Sequence, residues 1–265
     1  MIFPIALSAT VLLICGGVIF ALREPRLQIR NITLRGIKTL DERAVRDEIS
    51  ARLTGARFYV LPRSSFFLAD TAAIASGLKH DFSRIRDVTA VKNFPDKLDI
   101  SVTERIFWGV FCDGLAVSST PACPHTQCLG VGACVYIDPE AIAYEHAPEP
   151  QGKLILSIRS DAVGDIALGA SALDPAVMGE IRNLAERIPA ETGSALAGFE
   201  LHSRVPSEIR AVAGEGFTMI FKREDDYTAT LRVLKRVLDG EIKEKRGRLN
   251  YIDLRFGNKV FYKLK

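Results

Sequence analysis

From Ile2 to Leu22 the chain runs for 21 residues without a charge. Wound as a helix, such a run is ~31 Å long, the thickness of a bilayer's hydrocarbon core. It predicts a transmembrane anchor over residues 1–23 and leaves the remainder of the 265 residues for a folded body. A secretory signal peptide is the competing reading. It would need a basic n-region and a small-x-small cleavage site, and neither stands out here. The body is expected to fold, since 48% of residues are hydrophobic and 25% charged. A net charge of +3, with one dense basic run from Lys243 to Arg248, argues against a nucleic-acid-binding face.

Charge and cysteine usage disagree on orientation. Arg23, Arg26 and Arg30 follow the apolar run and only Met1 stands before it. Counted alone, those arginines put the body in the cytoplasm. Cys112, Cys123, Cys128 and Cys134 cluster in one window, while Cys15 sits in the anchor. An even cluster in a loop fits two nested disulfides and an oxidising compartment. Closing a loop of about 20 residues in this way offsets roughly 3 kcal/mol of chain entropy. A structural zinc held by some of Cys112, Cys123, His125, Cys128 and Cys134 is the second reading, although the tight C-x2-C knuckle is missing. Reduced, buried cysteines are the third. The disulfide reading places the body outside the cytoplasm.

Along the body, Leu27 to Ile37 reads as a strand. Thr39 with Glu42 forms a capping box for a helix whose buried stripe is Val45, Ile49 and Leu53. Asp70 caps a second helix carrying Ile74 and Leu78. Two strands follow, Ile85 to Lys92 and Leu98 to Val102, the second alternating cleanly between apolar and polar residues. Strand, helix, helix, strand, strand therefore make a small domain over residues 27–107. A second domain, 108–265, carries the cysteine insert 112–134. Asp174-Pro175 opens a helix with Val177, Ile181, Leu184 and Ile188 buried, ended by Pro189. Phe199 to Ser203, Glu208 to Ala213 and Phe217 to Arg223 are strands, the last two joined across Gly214-Glu215-Gly216. Asp226 caps a long helix bearing Leu231, Leu234, Val237, Leu238 and Ile242. The fold class is α+β, with a largely antiparallel sheet in the second domain.

Signals for catalysis are weak. His80, His125, His146 and His202 lie in four separate segments, and no HExxH, phosphate-binding loop or dinucleotide fingerprint is present. Ser76-Gly77-Leu78-Lys79 matches the S-x-x-K of penicillin-binding enzymes without its SDN and KTG companions. It reads as a helix surface with Leu78 buried. Asp174, Glu180 and Glu186 read as a solvated helix face. Asn31-Ile32-Thr33 is a glycosylation sequon placed in a strand. No cofactor and no resident metal is expected.

The last stretch, Leu249 to Lys265, reads as two strands around Gly257-Asn258, rich in β-branched and aromatic residues. Its second strand is expected at a sheet edge. An aromatic edge strand is either an aggregation hazard or a docking site.

Two motifs then carry a resemblance. Val91-Lys92-Asn93-Phe94-Pro95-Asp96-Lys97-Leu98-Asp99-Ile100-Ser101-Val102-Thr103-Glu104-Arg105 resembles the closing strands of a POTRA domain. Tyr251-Ile252-Asp253-Leu254-Arg255-Phe256 resembles the terminal signature of the FtsQ/DivIB family of bacterial cell division. The cysteine insert is not a general feature of that family, and Phe221-Lys222-Arg223-Glu224 stands where a hydrophobic-Leu-Gly step is usual. The resemblance implies a non-enzymatic single-pass scaffold at the septum, with its body outside the cytoplasmic membrane. Its implied partners are FtsB- and FtsL-like coiled-coil proteins and, through them, the FtsW/FtsI pair that synthesises septal peptidoglycan. By the same resemblance the partner is expected to add a strand to the sheet edge, a mode in which backbone hydrogen bonds give affinity and alternate side chains give specificity. Carried onto this chain, the implied contacts are Arg255, Phe256, Lys259, Val260, Phe261 and Tyr262, with Leu234 and Leu238 on the helix side. Two alternatives stay open: Leu234 and Leu238 as core, and Arg255 bridging locally to Asp253 or to a helix acid. A POTRA-bearing transport or outer-membrane assembly component is the alternative function. Such proteins usually add a β-barrel, for which too few alternating strands remain.

Overall fold

In a computed structural model the described residues are 13, 16, 17, 19, 20, 22–57, 61–114, 134–161, 166–257 and 259–265. The anchor expected over residues 1–23 lies mostly outside them. Among the described residues no helix is long and apolar enough to cross a membrane. The chain divides into two compact units, Met1–Arg105 and Ile106–Lys265.

The first unit has β1 (Asn31–Arg35), α1 (Glu42–Leu53), the short pair β2 (Ala56–Arg57) and β3 (Leu61–Pro62), α2 (Thr71–Asp81), β4 (Ile85–Asn93) and β5 (Lys97–Glu104). Its main sheet runs β1-β5-β4, with β5 parallel to β1 and antiparallel to β4. Alternation along β5 buries Leu98, Ile100 and Val102 on one face. Val45, Ile49 and Leu53 of α1 join the same core as Ile74 and Leu78 of α2. Each such side chain contributes roughly 2 kcal/mol of transfer free energy.

The cap of α1 corrects the sequence reading. Asp41, not Thr39, is the N-cap, its carboxylate accepting from the Arg43 N–H at 2.9 Å. Thr39 is held elsewhere. Its hydroxyl donates to Glu104 at the end of β5, as do the N–H groups of Lys38 and Thr39 at 2.6 and 3.0 Å. The Glu104 carboxylate thus fixes the turn between β1 and α1. Asp70 caps α2 as expected, accepting from Ala73 N–H at 3.0 Å.

The second unit contains β6 (Gly109–Asp113), β7 (Cys134–Ile137), β8 (Ala143–Ala147), β9 (Ser157–Ser160), α3 (Pro175–Thr192), β10 (Leu196–Leu201), β11 (Glu208–Ala213), β12 (Thr218–Lys222), α4 (Tyr227–Val237), β13 (Leu249–Phe256) and β14 (Lys259–Leu264). These strands form one sheet in the order β14-β13-β12-β11-β10-β9-β6-β7-β8. Most pairings are antiparallel, but β9 with β10, β12 with β13, and β6 with β9 are parallel. The first two follow from connectivity. A helix separates each pair in sequence, α3 in one case and α4 in the other, and parallel neighbours need such a crossover. Both helices bury one stripe into the core: Val177, Ile181, Leu184 and Ile188 from α3, and Leu231 and Leu234 from α4.

Two helix ends differ from expectation. α3 runs past Pro189 to Thr192 and stops at Gly193 in the left-handed conformation, whose N–H donates to the Pro189 carbonyl. Proline removes its own donor but leaves its carbonyl available, so the last turn closes around it. The long helix after Asp226 is regular only to Val237. It widens into a π-type turn over Leu238–Ile242 and then tightens over Lys243–Arg248, with Lys243 at φ 45°.

Cys112 and Cys134 face one another in the β6–β7 register and form a disulfide. It closes the base of the insert. Their sulfurs are thereby withdrawn from any zinc site. Cys123, Cys128 and His125 lie outside the described residues. Among the described residues no group of three or more His, Cys, Asp or Glu is arranged to hold a metal.

Candidate functional site

β13 and β14 form the hairpin expected at the end of the sequence, turning through Gly257 at φ 65°. β13 is internal, between β12 and β14, and buries Leu249, Ile252 and Leu254 in the core. β14 is the edge. Among the described residues it pairs with β13 alone. One backbone row of β14 therefore faces solvent, a line of donors and acceptors at strand spacing.

The opposite edge of this sheet is not equally open. There the Ala143 N–H donates to the Ala170 carbonyl at 2.9 Å, and the Gly169 N–H donates back to Ala143 at 2.7 Å. A loop has begun to occupy β8. In the first unit, β4 is an edge strand whose exposed residues include Arg86 and Asp87, side chains that discourage edge pairing.

Side chains on β14 divide between two faces. Phe261 stands opposite Asp253, and Tyr262 stands opposite the core residue Ile252. Val260 and Leu264 pack partly against the core. Phe261 is 53% exposed and Tyr262 41%. Phe261 meets Phe256, also 53% exposed, edge to face with ring centroids 5.3 Å apart. The edge thus offers an unfilled backbone row flanked by aromatic surface on both faces.

Behind it lies a charge cluster. Glu208 of β11 is buried, and its carboxylate accepts from Arg255 Nη1 at 2.7 Å and pairs with Arg210 Nη2 at 2.6 Å. Arg255 also donates to Asp253 from Nε at 2.9 Å and Nη2 at 2.6 Å. Burial pushes the Asp253 carboxyl up, but the bonds from Arg255 outweigh it and hold the group below the usual carboxylate range. The Arg255 guanidinium lies 5.6 Å from the Phe256 ring centroid. Of the two readings left open for Arg255, the geometry supports the local bridge. Arg255 steadies the edge from the side, and its donors are engaged with Asp253 and Glu208. Glu208 was not singled out from sequence. Its signal was only a carboxylate on the non-core face of a strand, and its partner lies 47 residues away.

Leu234 and Leu238 are fully buried within the core. This corrects their assignment as helix-side contacts: an occupant of this conformation cannot reach them. The exposed side of α4 carries Arg232, Lys235 and Arg236 instead.

Among the described residues the remaining candidates are engaged in separate places. Ser76 donates to the Ala73 carbonyl within its own helix, whereas Lys79 pairs with Asp87 at 3.3 Å. Leu78 is core. Asp174 is a helix cap, and Glu180 accepts from Arg223 at 3.2 Å and from the Tyr227 hydroxyl. Burial and that neighbouring carboxylate raise the Tyr227 hydroxyl far above the ordinary phenol range. Asn31 of the sequon donates its amide to Asp96 at 2.8 Å.

Residues 27–105 match the family described as POTRA domain, FtsQ-type. That stretch is a POTRA domain of the FtsQ type, in keeping with the resemblance to the FtsQ/DivIB family. No curated protein matches the chain.

Proposed function

We propose that the FtsQ-type POTRA domain belongs to a non-enzymatic, single-pass scaffold of the bacterial division machinery. Its second unit accepts a partner's strand along β14. The observation that carries this reading is the open backbone row of β14 beside exposed Phe256, Phe261 and Tyr262. Strand addition satisfies such a row and reads alternate side chains. The occupant is an FtsB-like protein acting with an FtsL-like one, and through them the FtsW/FtsI pair. The solvent side of α4, with Arg232, Lys235 and Arg236, favours an acidic face on the partner's adjoining helix.

Membrane anchorage rests on the uncharged run Ile2–Leu22. The Cys112–Cys134 disulfide supports a body in an oxidising compartment outside the cytoplasm. The test is co-purification of the full chain with its own organism's FtsB-like protein. Phe261→Lys should abolish capture while the circular dichroism spectrum is retained. Capture equal to wild type would remove β14 as the docking strand.

A further inference from the structure

A second exposed aromatic surface lies in the first unit, far along the chain from β14. Phe66 meets both Phe67 and Phe94 edge to face, with ring centroids 5.6 Å apart in each case. The Lys92 ammonium sits 5.5 Å from the Phe66 centroid. Phe94 is 69% exposed and Phe67 58%. Neither is a buried core residue, and two phenylalanines held this open require an explanation.

Their position supplies one. The chain that leaves the apolar run is stitched directly to the two loops bearing these rings. Ile29 N–H donates to Ser64 at 2.8 Å, and Phe66 N–H donates to Leu27 at 2.8 Å. Arg30 and Asn31 N–H groups both donate to the Asp96 carbonyl, at 3.0 and 3.3 Å. Leu27 follows Leu22 by only five positions, a reach of at most about 18 Å. The aromatic loops therefore sit where the body meets its anchor. The exposed cations at the same end are Arg23, Arg26, Arg30, Arg63 and Lys97. The acids there are largely engaged: Asp96 with Asn31, Asp99 with Asn93, and Asp70 as the cap of α2.

We propose that this end of the POTRA domain rests on the membrane surface. Phe67 and Phe94 enter the headgroup boundary while the surrounding arginines and Lys97 meet anionic lipid headgroups. Aromatic rings favour that boundary, and clustered cations favour an anionic surface. The contact would hold the domain against the bilayer by a second point besides the anchor. It rests on the anchorage reading given above and is separate from strand addition at β14.

The test uses the full chain in vesicles of phosphatidylethanolamine and phosphatidylglycerol. Trp108, the single tryptophan, is replaced by phenylalanine, and Phe94→Trp is introduced as a reporter. His80→Trp, in an otherwise identical chain, is the control. His80 lies near the far end of α2, an 11-residue helix that leads away from the aromatic loops. Lipids brominated just below the headgroup should quench the Phe94→Trp chain at least about twofold more than the His80→Trp chain. The difference should shrink in vesicles lacking phosphatidylglycerol. Flotation of both chains with the vesicles reports anchorage independently. Chains that float with equal quenching overturn the surface contact and leave anchorage standing; chains that do not float overturn both.

Discussion

Glu104 shows how one carboxylate can hold a domain's first turn. Burial would raise it, but bonds from the Thr39 hydroxyl and from the N–H groups of Lys38, Thr39 and Leu40 prevail and lower it from 4.5 to about 2. A folded-state value below the unfolded one means that the unfolded chain binds the proton first. The stabilisation is complete above pH 4.5 and is lost as pH falls from there toward 2. Allowing for partial exposure, it is about 2 kcal/mol. Denaturant midpoints of the first unit should therefore drop across that window in wild type and drop less steeply in Glu104→Gln, where Asp81 is the remaining carboxylate held below its ordinary value. Arg255 gives a second residue-scale outcome. Removing it leaves Asp253 without its guanidinium and Glu208 with Arg210 alone. Breaking one side of such a half-buried cluster should cost about 2–3 kcal/mol, so urea titration of Arg255→Ala should find a weaker second unit even without partner. Unchanged stability would return Arg255 to the partner-contact role implied by the family resemblance. At this scale the sequence was partly readable. Asp70, Asp174 and Asp226 announce their helices because a cap is a local device. Glu104 bonding Thr39 and Glu208 bonding Arg255 cross 65 and 47 residues, and no local pattern encodes such pairs.

Among elements, the decisive one is β14, and proline substitution separates its two backbone rows. Successive residues of a strand send their N–H groups to opposite sides. Of Phe261 and Tyr262, one therefore donates toward β13 and the other toward solvent. Proline at the outward position removes a donor that only a partner would use; proline at the inward position breaks the β13 ladder. Phe261→Pro and Tyr262→Pro should consequently both lose capture of the FtsB-like protein. Only one of them should also lower the unfolding midpoint of the second unit, by an amount near 3 kcal/mol or less. If both bind as wild type does, the outward row is unused. Period-2 patterning made this hairpin legible, as it did β5, whose buried Leu98, Ile100 and Val102 alternate with more exposed polar residues. Leu234 and Leu238 were harder for a physical reason. Spacing at i, i+4 produces the same apolar stripe whether it faces a core or a partner, and only the packed sheet shows which. Parallel pairing was likewise unreadable, because β9, β10, β12 and β13 have the composition of any half-buried strand. Their order depends on where α3 and α4 cross.

The described residues gather two large cores, one from Val45, Ile49, Leu78 and Ile100 and the other from Phe111, Ile181, Phe199, Leu234 and Ile252, with a small cluster of Val110, Cys112 and Cys134 beside the second. The sequence indicated this division through the order of its elements, since each set of strands closes on helices from its own segment. The insert between Cys112 and Cys134 kept its pairing open, because spacing alone admitted zinc, thiols or bridges. Two cores give the proposed function a signature. A ligand stabilises only the state it binds, by RT ln(1 + [L]/Kd), or about 2.7 kcal/mol at a hundredfold excess over Kd. A partner seated on β14 touches the unit 106–265. Added FtsB-like protein should therefore raise the unfolding transition of that unit and leave the transition of the POTRA domain where it was. Glu104→Gln at neutral pH marks the first transition and Arg255→Ala the second, so calorimetry can assign each before partner is added. A shift confined to the POTRA transition would move the docking site to residues 27–105. Equal shifts in both would mean that the partner bridges the units, and β14 would then be only part of the surface it occupies.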